Sequence, residues 1–340
     1  MGNHKLSIIT INYNNAEGLR KTLASVASQT YHDIEHIIID GGSTDGSVDV
    51  IKEYATSLAS FHHSIIWVSE PDNGIYNAMN KGIEIALGRR EVDAFNRSTL
   101  CEDKNHGIEI ALGRRSVNEN HISSLNSLNA KHSTLHESLC DYIQILNSGD
   151  ILAAPDVTER MMTALESLNA KRSSLNEDSV AILYGNMVHV DAQGKQISKS
   201  REVEYSLRQY FSSTMNHDCC YIRRDLFDTY GLYDESLKIV SDWKWFLLAI
   251  GLGNVKPVYV DIDVTHFDMG GISETNLKLR NQERRKVLEE VMPPAILADY
   301  DAHAFEMDQI KRLRKHHWYG LVYFIERVLF KLEKWHILRG

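Results

Sequence analysis

The sequence has few cysteines, no long apolar run and no excess of basic residues. Its 340 residues include four cysteines without metal-site spacing, and Cys219 and Cys220 are adjacent, so we expect reduced thiols and a cytoplasmic protein. The net charge of −9 argues against general nucleic-acid binding, because such proteins are usually basic. No apolar stretch reaches the roughly 18 residues of a membrane-spanning helix, and the N-terminal residues do not have the layout of a signal peptide.

A glycine-rich phosphate loop is also missing after the first predicted strand. The polar residues 12–15 (NYNN) follow the β-rich run 6–11, where a dinucleotide-binding dehydrogenase would carry Gly-x-Gly-x-x-Gly. The glycine-rich, basic loop with which sugar-activating nucleotidyltransferases begin is absent as well. Both absences argue against these two classes of enzyme.

Short apolar runs alternate with segments of helical periodicity, which predicts βαβ units and a mostly parallel sheet flanked by helices. A helix at 157–168, a strand at 180–190 and a hairpin turn at 191–194 follow. The runs predicted as strands in the first half lie at 6–11, 34–39, 65–68 and 141–146, and those predicted as helices lie at 19–27, 48–54 and 78–87.

Residues 88–139 interrupt this alternation. The sequence GIEIALGRR at 82–90 recurs at 107–115, and SLNAK at 127–131 recurs at 167–171. Because a loop of this length is unusual inside a compact domain, we predict an inserted, mobile segment that arose by local duplication. A small helical hairpin packed on the domain is the alternative.

Acidic residues occur where an α/β sheet binds its ligands, outside the carboxyl ends of the strands. Asp40 and Asp150 follow predicted strands directly, Asp72 follows the third strand, and Asp242 lies further along the chain. A carboxylate can hold a divalent metal against a diphosphate, and a second one can accept the proton of an attacking hydroxyl. This combination suits transfer of a sugar from a nucleotide-diphosphate donor.

Four segments make the resemblance specific. They are TINYN (10–14), DGGSTDGS (40–47), EPDNGIYNAMNKG (70–82) and LNSGD (146–150), and their order and approximate spacing resemble those of family 2 glycosyltransferases with the GT-A fold. The likeness covers about residues 5–87 and 141–275 and is strongest to enzymes of bacterial surface-polysaccharide biosynthesis. It implies a GT-A catalytic domain at 1–275. We expect the remaining residues, 276–340, to form a C-terminal helical extension.

The resemblance assigns residues to the nucleotide-sugar pocket. A turn-forming role is the alternative for Asp40 and Asp72, and a solvated helix face is the alternative for Lys81 near the phosphates. The residues that the resemblance places against the donor are Thr10, Asn12, Tyr13, Asp40, Asp72, Lys81, Asn147 and Ser148.

The segment Asn147-Ser148-Gly149-Asp150 resembles the family's DxD element, with Asn147 in place of the first acid. Asp150 matches the last acid, so the resemblance implies that it binds Mn²⁺ or Mg²⁺ together with diphosphate and water. The alternative is a cap on the following helix. His266 is a candidate to complete the metal shell, and a segment at 270–273 resembles the loop that closes over the donor in relatives.

Asp242, in Ser241-Asp242-Trp243, resembles the family's acceptor-side acid and is the candidate general base of an inverting transfer; an N-cap role is the alternative. Trp243 and His217 are candidates for the acceptor or donor side, and a core histidine is an equal alternative for His217. The Gln-x-x-Arg-Trp signature of processive members is missing, which favours transfer of one sugar per encounter.

The C-terminal residues, from Lys311, combine basic and aromatic residues and predict a basic amphipathic helix. One prediction is that this helix lies on the anionic inner face of the plasma membrane, beside a lipid-linked acceptor. The alternative is that it packs on the domain or on a second subunit of a homodimer. The expected enzyme is a hexosyl- or N-acetylhexosaminyltransferase that uses a UDP-sugar and acts in polysaccharide or glycan biosynthesis. The alternative is a non-catalytic sugar-nucleotide-binding relative whose metal site is disturbed by the insertion.

Overall fold

The computed structural model describes residues 4–57, 63–92, 97–98, 139–190, 196–200, 202, 206–268, 276–316 and 318–337. The chain forms two compact units, Met1–Arg280 and Asn281–Gly340. The predicted domain boundary at 275/276 stays a prediction. Most of the predicted insertion, the hairpin turn at 191–194 and the segment at 270–273 lie outside the described residues.

The first half of the larger unit is built from alternating strands and helices. β1 pairs in parallel with β2 and with β5, and β2 pairs in parallel with β3, as the alternating sequence pattern predicts. The elements of this half are β1 (Leu6–Asn12), α1 (Ala16–Ala27), β2 (Ile34–Asp40), α2 (Ser47–Ser57), β3 (Ser64–Ser69), α3 (Ile75–Ala86), β4 (Arg97–Ser98), β5 (Tyr142–Ile145) and β6 (Ile151–Leu152).

The second half extends the same sheet with strands of both directions. Within the described residues the sheet has ten strands in the order β4-β3-β2-β1-β5-β9-β7-β10-β6, with β8 paired to β7. Six of these strands run in the same direction, namely β1, β2, β3, β5, β7 and β10. Strand β9 and the short strands β4, β6 and β8 run antiparallel to their neighbours. The further elements are α4 (Val157–Ser174), β7 (Ile182–Val190), β8 (Gln196–Lys199), α5 (Leu207–Ser212), β9 (Cys220–Arg223), α6 (Asp225–Tyr230), α7 (Ser241–Phe246) and β10 (Pro257–Asp268).

Burial of apolar side chains holds the helices against the sheet. Leu19 and Leu23, one helical turn apart on α1, pack in one cluster with Ile38 of β2, Ile51 of α2 and Ile65 of β3. Burying a side chain of this size stabilises the fold by about 1.5–3 kcal/mol. The cluster therefore holds β2 and β3 in place, and with them the polar loops that follow the two strands.

The turn after β5 brings its polar residues beside the end of β1. The backbone N–H of Leu146 donates to Ile9 O at 2.8 Å, and that of Ser148 donates to Ile11 O at 3.0 Å. Gly149 has a φ of +112°, a left-handed conformation that glycine adopts without steric cost. The polar residues after β1, β2 and β5 are consequently gathered at one edge of the sheet.

The smaller unit is helical. α8 (Leu277–Val291) enters it, and α9 (Pro294–Arg314) and α10 (Tyr319–Ile337) follow. The single helix predicted from Lys311 is therefore wrong, because backbone turns at Lys315 and His316 end α9 before α10 begins. Among the described residues, no helix combines the length and apolar character needed to cross a membrane.

Candidate active site

A cleft of about 1110 Å³ opens at the carboxyl ends of the central strands. It is lined by the loops after β1, β2, β3 and β5, by the start of α3, and by residues around His217 and Asp242. Seven of the predicted site residues line it: Asn12, Tyr13, Asp72, Asn147, Ser148, Asp150 and Asp242, together with the candidate His217. Residues far apart in the sequence are thus brought to one cavity.

Asp40 organises the wall of the cleft without lining it. Its Oδ1 accepts hydrogen bonds from Asn12 Nδ2 at 2.9 Å and Ser43 Oγ at 2.6 Å, and its Oδ2 accepts from Ser43 N at 2.9 Å and Ser69 Oγ at 2.7 Å. Burial raises the pKa of Asp40, but these hydrogen bonds outweigh it and leave the pKa below its usual value. Four bonds use the acceptor capacity of a carboxylate, so Asp40 holds the loop 41–43 in shape.

Asp72 lines the cleft beside Gly41. Its Oδ1 accepts from the backbone N–H of Gly74 at 2.8 Å, while its Oδ2 lies so close to Gly41 that a Cβ there would overlap it. Tyr13 lies beside the same glycine and is 65% exposed. An accessible aromatic ring next to a carboxylate can stack on a base while the acid accepts hydrogen bonds from a base or a ribose.

The turn at 147–150 contributes the acid expected to bind a metal. Asp150 is 5% exposed and lines the cleft. It is not a helix cap, because the N-cap position of α4 is occupied by Asp156. Within the part of the chain that the structure describes, no three His, Cys, Asp or Glu side chains come together as a metal cage. Diphosphate and water would therefore supply the remaining ligands of a metal held by Asp150, which is usual for Mg²⁺.

Asp242 lies on α7, in the wall that faces the turn. Tyr76 Oη donates to its Oδ1 at 2.9 Å, and His217 Nδ1 lies 3.3 Å from its Oδ2. Its side chain is 15% exposed, and it is not the N-cap, since Val240 occupies that position. A carboxylate fixed by two donors at the edge of a cleft can accept a proton from a bound hydroxyl.

His217 lies between two carboxylates. Its Nε2 is 3.1 Å from Asp218 Oδ1, and its Nδ1 faces Asp242. Burial lowers the pKa of His217, but the charges and hydrogen bonds of Asp218 and Asp242 outweigh it and raise the pKa well above its usual value. The pKa of Asp242 is in turn raised by burial and lowered further by His217 and Tyr76, with a net lowering. Each partner therefore favours the charged form of the other.

Asn147 connects the turn to this pair. Its Nδ2 lies 3.2 Å from His217 Nε2, and its Oδ1 is buried with no partner among the described residues. Nδ2 also donates to Asp218 Oδ1 at 3.5 Å. An amide at position 147 can therefore donate to a neighbouring carboxylate, which an ionised acid in its place could not do.

Besides Asp40, four predicted residues do not line the cleft. Thr10 is fully buried and hydrogen-bonded to His36 at 2.9 Å, beneath the sheet edge. Lys81 is 9% exposed and does not line the cleft. Its Nζ pairs with Glu70 at 2.7 Å and donates to Pro71 O at 3.1 Å. It stabilises the loop that carries Asp72.

Trp243 and His266 are likewise placed elsewhere. Trp243 is 1% exposed and its indole donates to Tyr210 O at 2.7 Å, so it belongs to the core. His266 pairs with Ile151 across β10 and β6. Phe267 lines the cleft, and successive side chains of a strand point to opposite faces. His266 therefore points away from the cleft, and we leave it out of the proposed metal shell.

Sequence reasoning did not single out Tyr76, Asp218 or Lys238. Tyr76 and Lys238 line the cleft, and Asp218 is buried against His217. Tyr76 lies within the segment 70–82 whose pattern was recognised, and its place in that motif was the available signal. Asp218 directly follows the candidate His217 in the sequence, whereas Lys238 lies in no recognised motif.

Comparison with known proteins agrees with this architecture. An archaeal mannosyltransferase from Pyrobaculum calidifontis, solved in complex with GDP-Man and Mn²⁺, superposes with a TM-score of 0.50 at 12% sequence identity. The match covers 90% of this chain and 70% of that one. The fold is that of the GT-A glycosyltransferases, as predicted.

Sequence comparison finds relatives of the N-terminal region. Residues 7–92 match glycosyl transferase family 2. An uncharacterised glycosyltransferase of Mycobacterium tuberculosis is 46% identical over 84 residues, and a PGL/p-HBAD biosynthesis glycosyltransferase of Mycobacterium bovis is 39% identical over 82. Each match covers 24% of this chain, and it spans only 30% and 31% of those relatives. The N-terminal region of the chain therefore carries the pattern of glycosyl transferase family 2, which confirms the resemblance seen in the motifs.

Proposed function

We propose that this protein transfers one sugar from a nucleotide-diphosphate donor to an acceptor hydroxyl, with inversion at the anomeric carbon. The observation that carries the proposal is that Asp150 and Asp242 line one cleft, beside Tyr13 and Asp72. In this assignment Tyr13 and Asp72 bind the nucleoside, Asp150 lies at the diphosphate, and Asp242 faces the acceptor. Asn12 and Ser148 complete the donor side.

The proposed reaction is a single displacement. The acceptor oxygen attacks the anomeric carbon while Asp242 takes its proton, and the bond from that carbon to the diphosphate oxygen breaks with its electron pair. The products are the glycosylated acceptor, the nucleoside diphosphate and the protonated Asp242, which returns its proton to solvent. Attack from the face opposite the leaving diphosphate inverts the configuration. The low pKa of Asp242 keeps it in the ionised form that this step requires.

A divalent cation is the proposed cofactor. Asp150 offers the hard oxygen ligand that Mn²⁺ and Mg²⁺ prefer, and a site with one protein carboxylate suits ions that keep water and phosphate ligands. Such an ion would neutralise charge on the departing diphosphate. The mannosyltransferase of the same fold was solved with GDP-Man and Mn²⁺; for this chain, the metal assignment depends on Asp150.

The proposed acceptor is lipid-linked, and the C-terminal unit supports contact with an anionic membrane on the cytoplasmic side. Residues 311–340 contain eight basic and two acidic residues, although the whole chain has a net charge of −9. Basic residues beside exposed apolar ones favour an anionic lipid surface. The exposed apolar side chains of α10 are Leu321, Val322, Tyr323, Phe324, Ile325, Val328, Leu329 and Phe330.

The first test is a thermal-shift titration with UDP, GDP, CDP and NAD, each with and without Mn²⁺. A ligand that binds only the folded state raises the melting temperature by mass action. We expect a nucleoside diphosphate, with UDP the first candidate, to raise the melting temperature more in the presence of Mn²⁺. Donor-sugar screening by nucleotide release would then follow, with UDP-hexoses and UDP-N-acetylhexosamines first.

Other outcomes of the titration or of the donor-sugar screen would contradict parts of the proposal. Nucleotide binding without release in the presence of diverse acceptors would favour the non-catalytic sugar-nucleotide binder. A shift with NAD alone would overturn the donor site. A metal-independent shift would remove the metal assignment while leaving the nucleotide pocket.

A further inference from the structure

The carboxylate of Asp242 is held from two sides by residues of different elements. Tyr76, from the start of α3, donates to Oδ1 at 2.9 Å, and His217, which follows α5, faces Oδ2 at 3.3 Å. The two contacts span 166 and 25 residues of sequence. Each oxygen keeps further acceptor capacity, so a substrate hydroxyl can bond to the carboxylate without displacing either donor.

We propose that Tyr76 and His217 are positioning residues that clamp the Asp242 carboxylate for proton abstraction, with Asp218 orienting His217 from behind. This inference rests on the proposed role of Asp242 as base. A side chain with two rotatable bonds would otherwise sample several orientations at the cleft wall. Fixing both oxygens aims the remaining lone pairs at the cleft, so proton transfer does not require reordering of the acid.

The protonation states agree with this arrangement. Burial raises the pKa of the Tyr76 hydroxyl well above its usual value, and the Asp242 charge raises it further, so Tyr76 stays a donor. Asp218 and Asp242 raise the pKa of His217, which favours the imidazolium that donates from both ring nitrogens. Among the described residues, Tyr76 and His217 contact Asp242 directly, Asp218 contacts His217, the charge of Asp242 acts on Tyr233, and Lys238 lines the same cleft.

Tyr76→Phe tests the first arm of the clamp. We expect kcat to fall about tenfold with a smaller change in KM, because the lost bond affects the reacting acid more than donor binding. Two donors lower the pKa of Asp242, so removing one raises it. The acid limb of the kcat–pH profile should consequently move to higher pH. A role confined to packing would lower stability without moving this limb.

Tyr233→Phe is the matched control. The Tyr233 ring lies 5.7 Å from that of Tyr76, and its hydroxyl is buried without a hydrogen-bond partner among the described residues. Its loss should leave kcat and the acid limb near wild-type values. Equal effects of the two substitutions, or an unchanged profile in Tyr76→Phe, would overturn the clamp.

Two substitutions of His217 test the contacts of its two ring nitrogens separately. An asparagine amide nitrogen can occupy the place of Nδ1, which faces Asp242, whereas a glutamine amide nitrogen can occupy that of Nε2, which faces Asp218. His217→Asn should therefore retain at least fivefold more of the wild-type kcat than His217→Gln. The reverse order would assign the importance of His217 to the contact with Asp218 and would overturn the second arm.

NMR titration of the His217 imidazole tests the same contacts without turnover. In the wild-type protein it should titrate above the ordinary histidine range, and Asp242→Asn should lower its pKa. A raised His217 pKa that Asp242→Asn lowers, in a protein without transferase activity, would sink the proposed function and leave the contacts of the clamp standing. Active enzyme with a His217 that is insensitive to Asp242→Asn would contradict the clamp and leave the function standing.

Discussion

The carboxylate of Asp72 lies directly over Gly41, at a distance that leaves no room for a Cβ at that position. Gly41 directly follows β2, and its backbone N–H donates to the carbonyl oxygen of Asn12, the last residue of β1, at 2.9 Å. Both residues line the cleft. A side chain at position 41 would therefore have to displace the Asp72 carboxylate, which approaches from another loop.

Gly41→Ala should weaken nucleotide binding. The methyl group would displace Asp72 or shift the backbone of the loop, and we expect Kd for the nucleoside diphosphate to rise about tenfold, equivalent to about 1.4 kcal/mol. Isothermal titration calorimetry measures it. Gly320→Ala is the control, since a Cβ there meets open space. Wild-type affinity in Gly41→Ala would contradict the position assigned to Asp72.

Asp242→Asn should abolish transfer while donor binding persists. The amide cannot accept the acceptor proton, and loss of a general base lowers rates by about 10²–10⁴-fold. Single-turnover transfer and nucleotide Kd would be measured together. Asp49→Asn, at an exposed position on α2, provides the same chemical change far from the cleft. Retained turnover in Asp242→Asn would remove this residue as the base.

Asp150→Ala should remove the metal dependence of nucleotide binding. If Asp150 holds the cation, nucleotide Kd in the variant should be nearly the same with Mn²⁺ and with EDTA, whereas Mn²⁺ should tighten wild-type binding at least tenfold. His266→Ala should behave like the wild type, because His266 points away from the cleft. A persistent metal effect in Asp150→Ala would require another ligand.

Asp40→Asn should destabilise the fold. Each oxygen of Asp40 accepts two of its four hydrogen bonds, so an amide nitrogen in either orientation removes the acceptor of two donors. We expect the free energy of unfolding to fall by about 2–3 kcal/mol. Ser69→Ala, which removes one hydroxyl donor, should cost only about 1 kcal/mol. Equal losses of unfolding free energy in the two variants, measured by chemical denaturation, would contradict this prediction.

The same carboxylate predicts a pH dependence of stability. The folded-state pKa of Asp40 is lowered, so its contribution is fully present above its unfolded pKa of about 3.9 and is lost as pH falls through the folded value. The stability difference between the wild type and Asp40→Asn should therefore shrink below about pH 4. Thermal melts across pH 3–7 measure it; a constant difference would mean that Asp40 is not selectively stabilised in its ionised form.

Vesicle binding should depend on both the apolar and the basic side chains of α10. Replacing Phe324 and Val328 by glutamine removes exposed apolar surface, and replacing Arg327 and Lys331 by glutamate reverses charge; each pair should lower binding to anionic vesicles at least tenfold. Sedimentation with phosphatidylserine-containing and pure phosphatidylcholine vesicles measures it. Equal binding to both vesicle types would remove the electrostatic part. Concentration-dependent dimers lost in the Phe324/Val328 variant, without vesicle binding, would identify a second copy as the occupant.

The motifs allowed the family, the fold and much of the donor side of the cleft to be predicted from the sequence. Strand-ending loops such as 12–15, 40–47 and 147–150 were identified from local pattern, because a parallel sheet brings the carboxyl ends of its strands to one edge. The roles of individual side chains remain predictions. Within a motif, sequence alone does not separate a residue that faces a ligand from one that holds the loop.

Lys81 and Asp40 illustrate what depended on tertiary structure. Both lie in recognised motifs, yet their polar atoms bond to Glu70 and Pro71 in one case and to Asn12, Ser43 and Ser69 in the other.

The sequence alone determined that the chain carries a family 2 glycosyltransferase pattern on an alternating α/β framework, because motif order and hydrophobic periodicity are local properties. Tertiary structure decided that Tyr76 and His217 meet at Asp242, that Asp72 covers Gly41, and that Trp243 and His266 point away from the cleft. These contacts join residues from separate elements. Their geometry follows from strand register and helix packing, which neither composition nor spacing expresses.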